Sequence, residues 1–544
     1  MQKWQISWQK WWRQYGLLLV AVVLGAVLRC WHLGELPAGL NRDEAAIAYN
    51  GWLLAQTGRD EWGRMWPLFL ESFGDQKLPG YPYLVALLFR LHYDQWLAPD
   101  TMVRLPSVLA GVALIAIAFA LAQLFGKQKT GLCPGVVTAF LVACNPIFIW
   151  YSRGAWEANV SLCWWFLAVY LIAQKLMQKN SSWTVRRLVV IFVLLMASFL
   201  TYNAPLLITG VALGWWLWVA WPRGVKFWAP LLVVMTVTVV GTFSLLAPVT
   251  AQKGGITIFD DPTVQYHYTI YRENLNPLIV KLFGSKYAYL SGIMLRSGLA
   301  SLAPRFWWHG NSHPWHQLRG FGYVNLTTSV LIYVSLIYLL GMMIVTIWRE
   351  RGHGWWRCVP LQVLVLIAIM LAPSVITTDA PHATRSLEFF AVLVIVASVV
   401  VGELFGQVFE YKMYTKKAII ILVCFSAIFA WEVMSYAFHY VTDLPLMNIY
   451  HAGFERFLPE WDTKRPVLVR TNESKYEYIK WAWALRVEPE LFWRTIVWHA
   501  PDTAGIKGAS DLLNFHFQDP DEDNLEYSQA IWYNTETESW ERLR

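Results

Sequence analysis

The sequence predicts an α-helical polytopic membrane protein with about eleven transmembrane helices and a small external α/β domain at the C-terminus. Of the 544 residues, 56% are hydrophobic and 15% are charged, and the mean hydropathy is +0.37. Such a composition is too apolar for a soluble globular chain. Apolar runs of roughly 17 to 25 residues begin near Leu17, Leu105, Leu132, Ala158, Leu188, Pro205, Ala229, Val330, Cys358, Leu387 and Ala418.

Basic residues in every second loop indicate the orientation. By the positive-inside rule they predict an N-terminus in the cytoplasm and a C-terminus outside. The net charge of +7 therefore requires no nucleic acid partner, and many of the 33 Trp lie near span ends, as an interfacial aromatic belt requires. The first span lacks a small-residue cleavage site, so we expect an uncleaved anchor in the cytoplasmic (inner) membrane. The basic loops contain Lys3, Lys10, Arg13, Lys127, Lys129, Lys175, Lys179, Arg186, Arg187, Arg223, Lys226, Arg349, Arg351, Arg357, Lys412, Lys416 and Lys417.

The predicted orientation leaves two long loops outside the membrane. A transmembrane domain is expected over 1–436, with a first external loop at 34–104 and a middle external loop at 250–327. The apolar stretches Tyr81 to Leu97 and Asn276 to Leu290 are predicted to be juxtamembrane helices, because counting Tyr81 to Leu97 as a span would move the basic loops to the wrong side.

The tail, 440–544, differs in composition from the membrane part, since its acids outnumber its bases. Short β-type runs flank a helical stretch, which predicts an external α/β domain. None of the six cysteines lies in the tail, so disulfides are not expected to stabilise it. The predicted strands are Pro466 to Arg470, Thr495 to Trp498, Leu512 to Phe517 and Ala530 to Tyr533, and the predicted helix is Tyr476 to Arg486.

An acidic pair, Asp43 and Glu44, follows directly after the first span. Carboxylates are costly in hydrocarbon, so such a pair is expected in a watery cavity at the bilayer surface, as a general base or a metal-binding acid. The alternative is that both are solvated loop residues at the start of a helix that begins near Ala45, where acids are favoured in any case.

Further motifs follow the acidic pair in a fixed order. They are the Lys77-Leu78-Pro79 that enters a juxtamembrane helix, the Arg104-Leu105-Pro106 that opens the second span, and the stretches NPIFIWYSRGAWEANVSL, HPWHQLRGFGYVNL and PHATRSLEFFAVLVI. Together they resemble the GT-C class of membrane glycosyltransferases, in particular its bacterial protein O-mannosyltransferase-like and aminoarabinose-transferase-like group. The resemblance extends over most of residues 17–405.

The resemblance implies an enzyme that moves a sugar, hexosyl or pentosyl, from a polyprenyl-phosphate carrier to a protein, glycan or lipid acceptor on the outer face of the membrane. Asp43 matches the catalytic acid of that class. A carboxylate within hydrogen-bond reach of an acceptor hydroxyl removes its proton as the oxygen attacks the anomeric carbon, and one such displacement inverts the configuration. Glu44 would orient Asp43 or the acceptor.

The leaving phosphate of the donor requires positive charge. Lys77 matches the lysine that contacts the lipid phosphate in the class, and Arg153 and Arg385 are further candidates because a guanidinium binds two phosphate oxygens at once. For both arginines the alternative is snorkelling at a span end. Possible supporting residues are Asp75, Arg104, Glu157 and His382.

Other loop residues have simpler interpretations. Asp60, Glu61 and Asp75 are expected as solvated loop acids, and Asp75 stands close enough in the chain to pair with Lys77. Aminoarabinose transferases carry a metal-binding Glu directly before the phosphate lysine, and Gln76 stands there in this chain. No cofactor is therefore certain. A divalent metal has weak alternative candidates in His309, His313 and His316, which are otherwise interfacial histidines.

A polytopic transporter or lipid flippase is the alternative function. It would also explain the spans, but charged broken helices near the bilayer midplane and an internal repeat are expected of it, and the sequence shows neither. A noncatalytic assembly subunit is disfavoured because Asp43, Lys77 and Arg153 are all present.

Overall fold

The structure is a computed structural model that describes residues 2–126, 133–178, 183–247, 256–274, 276, 279–280, 283–310, 314–349, 358–410, 415–444, 448–460, 464–501, 507–520, 527 and 529–542. The side chains at 2–14, 223, 314, 408–410, 415 and 460 are not described. His313 and part of the predicted juxtamembrane stretch Asn276 to Leu290 therefore lie outside the described residues.

Helices dominate the chain. The first ten, α1 to α10, are Gln2–Cys30, Arg42–Thr57, Gly80–Arg90, Pro99–Phe125, Pro134–Cys144, Pro146–Arg153, Glu157–Met177, Val185–Phe199, Ala204–Ala220 and Val225–Leu245. The later helices are Pro262–Glu273, Lys286–Leu302, Pro304–His309, Leu326–Arg349, Val359–Met370, Ala372–Val375, Leu387–Glu410, Thr415–Thr442, Ser474–Ala484 and Pro489–Thr495. Short 3-10 turns are Tyr93–Gln95, Trp221–Arg223, Pro314–His316, Thr384–Ser386 and Phe454–Glu460.

Among the described residues, every predicted span start lies on a helix or directly before one, and the start near Leu132 lies outside the described residues. Within the described ranges, six helices are long and apolar enough to cross a membrane, and a seventh span results if the bent pair α5 and α6 is counted as one. Shorter apolar helices occur at Tyr15–Cys30, Ala204–Ala220 and Val359–Met370. The protein is thus a multi-pass helical membrane protein by length and composition, and the full predicted number of spans remains a prediction.

The bend of 55° between α5 and α6 has a clear local cause. Pro146 has no N–H and interrupts the helical hydrogen bonds after Cys144. The buried Arg29 guanidinium donates to the carbonyls of Val142 at 2.9 Å and Ala143 at 2.8 Å, which satisfies groups that the helix end leaves open.

The chain consists of two compact units. Unit 1 contains Met1–Arg29, Ala110–Tyr151 and Ala158–Tyr436, and unit 2 contains Cys30–Leu109, Ser152–Glu157 and Ala437–Arg544. The first loop and the tail therefore belong to the same unit. The predicted division into 1–436 and 440–544 remains a prediction.

Within its described residues, the tail of unit 2 contains a six-stranded sheet and two α-helices. Its strands are β3 Val467–Arg470, β4 Val497–Trp498, β5 Ala509–Leu512, β6 Phe515–Gln518, β7 Gln529–Asn534 and β8 Ser539–Arg542, in the order β4-β5-β6-β3-β7-β8. Central β3 pairs in parallel with β6 and β7, and the other neighbours are antiparallel. Val467, Leu468 and Val469 are all buried, as a strand covered on both faces requires.

One strand prediction in the tail is wrong in detail. The run Leu512 to Phe517 forms the end of β5 and most of β6, because the chain reverses at Leu513, whose φ is 57°. Leucine is not a usual turn residue, and the adjacent Asn514 is the turn signal in this run that the strand prediction passed over. The predicted helix Tyr476 to Arg486 corresponds to Ser474–Ala484.

The first loop of unit 2 folds around α2, α3 and a small hairpin. Strands β1 Leu70–Ser72 and β2 Asp75–Lys77 are antiparallel and joined by Phe73 and Gly74, with φ of 44° and 80°; positive φ at both central positions suits a tight hairpin turn. Two residues after β2, Pro79 occupies the N-cap position of α3, Gly80–Arg90. This is the helix that the stretch from Tyr81 predicted, although it ends earlier than Leu97.

Candidate active site

The acidic pair lies in the first turn of α2, and a capping box fixes that turn. The Asn41 side-chain oxygen accepts from the backbone N–H groups of Asp43 at 2.8 Å and Glu44 at 2.9 Å. Glu44 in turn accepts from the Asn41 backbone N–H at 3.2 Å. The helix therefore begins at Arg42, slightly before the expected Ala45. Its N-terminal dipole stabilises the negative charge of both acids.

Glu44 is a buried anchor. The side chain is 1% exposed and receives the Arg104 Nε at 3.1 Å and the Ala155 backbone N–H at 2.7 Å. Arg104, itself fully buried, also donates to the carbonyls of Leu33 at 2.8 Å and Pro37 at 3.0 Å. Removing either partner would strand a charge in the interior. Glu44 is thus not a solvated loop acid. It fixes the start of α2 directly to Arg104 and Ala155, and through Arg104 to the segment that contains Leu33 and Pro37.

Unlike Glu44, Asp43 is partly exposed and contacts a lysine. Its carboxylate Oδ1 lies 2.5 Å from the Lys77 ammonium, and 36% of its side chain remains exposed. A charge-assisted contact this short orients the carboxylate. The exposed part leaves room for a substrate hydroxyl to approach Asp43.

Lys77, the last residue of β2, is the buried cation of this site. Its side chain is 7% exposed, and its ammonium also lies 3.4 Å from Asp75 Oδ2, so the predicted pairing of Asp75 with Lys77 is present. Burial by itself would lower the pKa of the Lys77 ammonium. The carboxylates of Asp43, Asp75 and Glu157 outweigh it and raise that pKa above its ordinary value. Lys77 is therefore charged at every physiological pH.

Arg153, also in unit 2, is bound by backbone carbonyls. It is 2% exposed and donates through Nη2 to Trp31 O at 2.6 Å and Leu36 O at 3.2 Å. Its guanidinium carbon lies 4.5 Å from the centre of the Tyr440 ring. A snorkelling arginine would extend its head to water, which this one does not do.

Arg385 and His382 belong to unit 1, where they surround one acid. Arg385 Nη1 donates to Asp379 and, at 2.9 Å, to Thr377 Oγ1, and His382 Nε2 lies 3.7 Å from Asp379 Oδ2. Burial raises the pKa of Asp379, but Arg385 and His382 outweigh it and leave that pKa below its ordinary value. Asp379 is thus an anion that already engages the Arg385 guanidinium.

The described members of the predicted histidine site, His309 and His316, do not form a metal site. His316 contacts the Tyr151 hydroxyl at 3.1 Å and lies edge-on to His382, with ring centres 4.9 Å apart. His309 is exposed. Among the described residues neither belongs to a group of three possible metal ligands, and His313 is outside those residues.

Two acids of the first loop were expected in solvent and are buried instead. Asp60 is 0% and Glu61 1% exposed. Glu61 Oε1 accepts from the Tyr478 hydroxyl at 3.3 Å, and its backbone N–H donates to Asn50 Oδ1 at 3.0 Å. Burial raises the pKa of Glu61 to about 8. The expectation failed because the tail covers this loop.

The tail contacts the first loop at several points that the sequence did not indicate. The Tyr49 hydroxyl donates to Val487 O at 2.8 Å, and Trp483 Nε1 donates to Asp100 at 2.9 Å. Trp62 and Trp498 stack with ring centres 4.3 Å apart. The abundant Trp and Tyr of the tail are the signal that could have been used, because such residues bury apolar area and carry a polar tip.

Comparisons with known proteins give distant structural matches. No protein-family model and no curated protein matches the chain. An archaeal oligosaccharyltransferase, AglB from Archaeoglobus fulgidus, superposes with a TM-score of 0.48 at 12% identity over 88% of this chain and 64% of that chain. ArnT from Cupriavidus metallidurans superposes with a TM-score of 0.37 at 13% identity over 87% and 84%.

Both proteins are GT-C glycosyltransferases, the class that the motifs of this sequence resemble. The chain spans 64% of the length of the oligosaccharyltransferase. Because these TM-scores are below 0.5, the function of this chain must be argued from its own residues.

Proposed function

We propose that this protein is a membrane glycosyltransferase that transfers a sugar from a polyprenyl-phosphate carrier to an acceptor hydroxyl on the outer face of the cytoplasmic membrane. The proposal includes about eleven spans, a cytoplasmic N-terminus and an external tail. The acceptor is a protein, a glycan or a lipid, and no nucleic acid takes part.

One observation carries the proposal. A half-exposed carboxylate, Asp43, contacts a buried ammonium, Lys77, at 2.5 Å at the start of a helix that follows the first apolar helix. A base for the acceptor and a cation for the departing phosphate thus lie side by side. These are the two groups that transfer from a sugar phosphate requires.

The reaction assigns one step to each group. The acceptor oxygen forms a bond to the anomeric carbon while the bond from that carbon to the phosphate oxygen breaks. Asp43 takes the hydroxyl proton, and the polyprenyl phosphate leaves with the electron pair. Lys77 neutralises charge that grows on the phosphate, and because it is fixed in a buried position it needs little reorganisation. A single displacement of this kind inverts the anomeric centre.

Lys77 has a second consequence for the cycle. Without a substrate its ammonium is paired with Asp43 and Asp75. An incoming phosphate shares that ammonium, which weakens its hold on Asp43 and makes the carboxylate a better proton acceptor. Donor binding would thus prepare the base.

The remaining residues have positioning roles in this proposal. Glu44 and Arg104 fix the first turn of α2, and Asp75 and Glu157 keep Lys77 charged. Arg153, Arg385 and His382 are further candidates to contact the donor. For Arg153 this requires that it exchange a carbonyl contact for a phosphate oxygen.

Donor titrations with variants of Lys77 test the proposal. We choose undecaprenyl- and dolichyl-phosphate sugars as first probes, since ArnT binds undecaprenyl phosphate and AglB binds a dolichol-phosphate in their solved structures. Lys77→Ala should weaken both the apparent donor affinity and the maximal rate, because the contact exists in the ground state and strengthens in the transition state. Lys77→Arg should recover part of the loss.

Lys507→Ala is the matched control. Lys507 belongs to the same unit and pairs with Glu71 at 3.1 Å, but 37% of its side chain is exposed. This variant should leave donor affinity and rate unchanged. If Lys77→Ala also leaves both unchanged, Lys77 does not contact the donor phosphate and the assignment of the site is wrong.

A further inference from the structure

The tail contains a cluster of charged side chains that the proposed transfer reaction does not use. His451, Glu473 and Glu477 each offer a ligand atom, and these atoms all lie within 4.8 Å of one another. Glu473 directly precedes the helix Ser474–Ala484, and Glu477 stands four residues later in its first turn. Residues four apart share one face of a helix, so both carboxylates face the imidazole of His451.

The most buried ligand of this cluster has an oxygen without a partner. Glu477 is 0% exposed, and its Oε2 makes no hydrogen bond to the described residues. His451 Nδ1 is likewise buried without a hydrogen bond there, since it lies 3.6 Å from Glu477 Oε1, beyond hydrogen-bond range. Buried polar atoms are normally satisfied. These two therefore indicate a group that belongs between them.

Lys480 is the competing explanation for the cluster. Its ammonium lies 3.2 Å from Glu473 Oε2 and 3.1 Å from Glu477 Oε1. One ammonium balances one of the two carboxylates and contacts only Oε1 of Glu477. A net negative charge remains, and so does the buried Oε2 of Glu477 without a hydrogen bond to the described residues. A divalent cation would balance the charge and bind this oxygen.

We propose that His451, Glu473 and Glu477 form a binding site for a divalent transition metal of the Zn²⁺ type. The imidazole nitrogen favours Zn²⁺ over Mg²⁺ or Ca²⁺, which prefer oxygen ligands alone. The His451 ring is already oriented, because it stacks on Tyr533 with ring centres 3.8 Å apart. The ligand atoms must approach one another by about 1 Å to surround one Zn²⁺, and Lys480 must swing aside.

A cavity gives the ion access and an open position. His451 and Lys480 line a pocket of about 300 Å³ within unit 2, together with Asp100, Trp483 and Arg486. Three protein ligands leave the fourth tetrahedral position of Zn²⁺ to water or to an anionic group. That position would face this pocket. The site is independent of the proposed glycosyl transfer, so neither proposal depends on the other.

Zn²⁺ binding to the full chain in detergent tests the proposal, with the metal alone as the probe. After treatment with a chelator, the wild type should take up one equivalent of Zn²⁺ in competition with a chromophoric chelator, and its thermal unfolding temperature should rise. Glu477→Gln keeps the shape of the side chain and should weaken binding at least about tenfold. His516→Ala, which removes a histidine paired with Asp511 at 2.7 Å on the neighbouring sheet, should bind as the wild type does.

Lys480→Met separates the metal site from a purely structural ion pair. If the ammonium competes with the metal, its removal should tighten Zn²⁺ binding at least about tenfold. If the cluster is only an ion-pair network, Lys480→Met binds Zn²⁺ no better than the wild type, and that result would overturn the proposal. Uptake by Glu477→Gln equal to that of the wild type would overturn it as well.

Discussion

Replacing Lys77 with methionine removes the ammonium and keeps most of the hydrophobic stem. The variant leaves Asp43 without its contact at 2.5 Å and Asp75 without its contact at 3.4 Å. A double-mutant cycle isolates each contact, because it compares Lys77→Met in the presence and in the absence of one carboxylate. Asp43→Asn and Asp75→Asn supply the two cycles.

The distances and exposures give the size of each coupling. Two unit charges about 4 Å apart interact by roughly 4 kcal/mol at an effective dielectric constant of about 20. Asp43 is 36% exposed, so solvent screening reduces the coupling of the closer pair to about 2 kcal/mol. Asp75 is 40% exposed and its contact is longer. Its coupling to Lys77 should therefore stay below about 1 kcal/mol.

The free energy of unfolding is measured for each single and double variant in mixed detergent micelles, with Trp fluorescence as the probe. The account predicts a larger coupling for Lys77 with Asp43 than with Asp75. Equal couplings, or a larger one with Asp75, would mean that the ammonium is not directed at the proposed base.

Three further outcomes follow from burial, packing and charge. Burial raises the pKa of Glu61 to about 8, against 4.5 in the unfolded chain, so the folded protein keeps a proton on this carboxyl group that the unfolded chain loses. The free energy of unfolding should therefore be highest below pH 4.5 and should fall as the pH rises toward 8. Glu61→Gln should remove this loss, which is on the order of 3 kcal/mol at pH 7. The prediction is contradicted if the free energies of unfolding of the two proteins change equally with pH across that range. A Cβ on Gly51 would lie 2.6 Å from Val85 Cγ1, so Gly51→Ala should destabilise by about 1 to 3 kcal/mol. Gly214→Ala, with nothing within 4 Å, should change stability by at most about 1 kcal/mol and in the stabilising direction, and thermal unfolding of both variants distinguishes the two. In a background without the exposed native cysteines, a cysteine at Thr535 should react with an impermeant maleimide in spheroplasts and one at Lys226 only after lysis, and the reverse pattern would invert the predicted orientation.

The positions of the helices and the composition of the site were accessible from the sequence. Apolar runs define helices locally, and Lys77-Leu78-Pro79 marked both the candidate lysine and the start of α3, whose N-cap residue is Pro79. The proximity of Asp75 to Lys77 also followed from their spacing in the chain, two residues apart. These features depend on residues close together in the chain.

Contacts between distant segments were not accessible. The burial of Glu61 depends on Tyr478, which comes from the tail, and no local pattern encodes that pairing. The cluster of His451 and Glu477 escaped notice for the same reason, because its spacing matches no short metal motif. The role of Glu44 as a buried partner of Arg104 likewise needed the folded chain.

The roles of the two neighbouring acids illustrate how far a motif can go. The sequence placed Asp43 and Glu44 together and could not say which of them contacts a cation or remains accessible. In the structure Glu44 is 1% exposed, whereas the Asp43 side chain is 36% exposed and pairs with Lys77. In the proposed reaction Asp43 is therefore the acid that meets the acceptor.

Turnover by Asp43→Asn tests the central claim most directly. The purified protein is given a polyprenyl-phosphate sugar and acceptor lipids or proteins from the same membrane, and the release of free polyprenyl phosphate is followed by mass spectrometry. Asp43→Asn keeps the shape of the side chain and removes the base, so the rate should fall by roughly 10² to 10⁴. Asp511→Asn removes a carboxylate of the same exposure, 36%, from the sheet of the tail, and its rate should stay within a few fold of the wild type. A rate for Asp43→Asn close to that of the wild type would contradict the account.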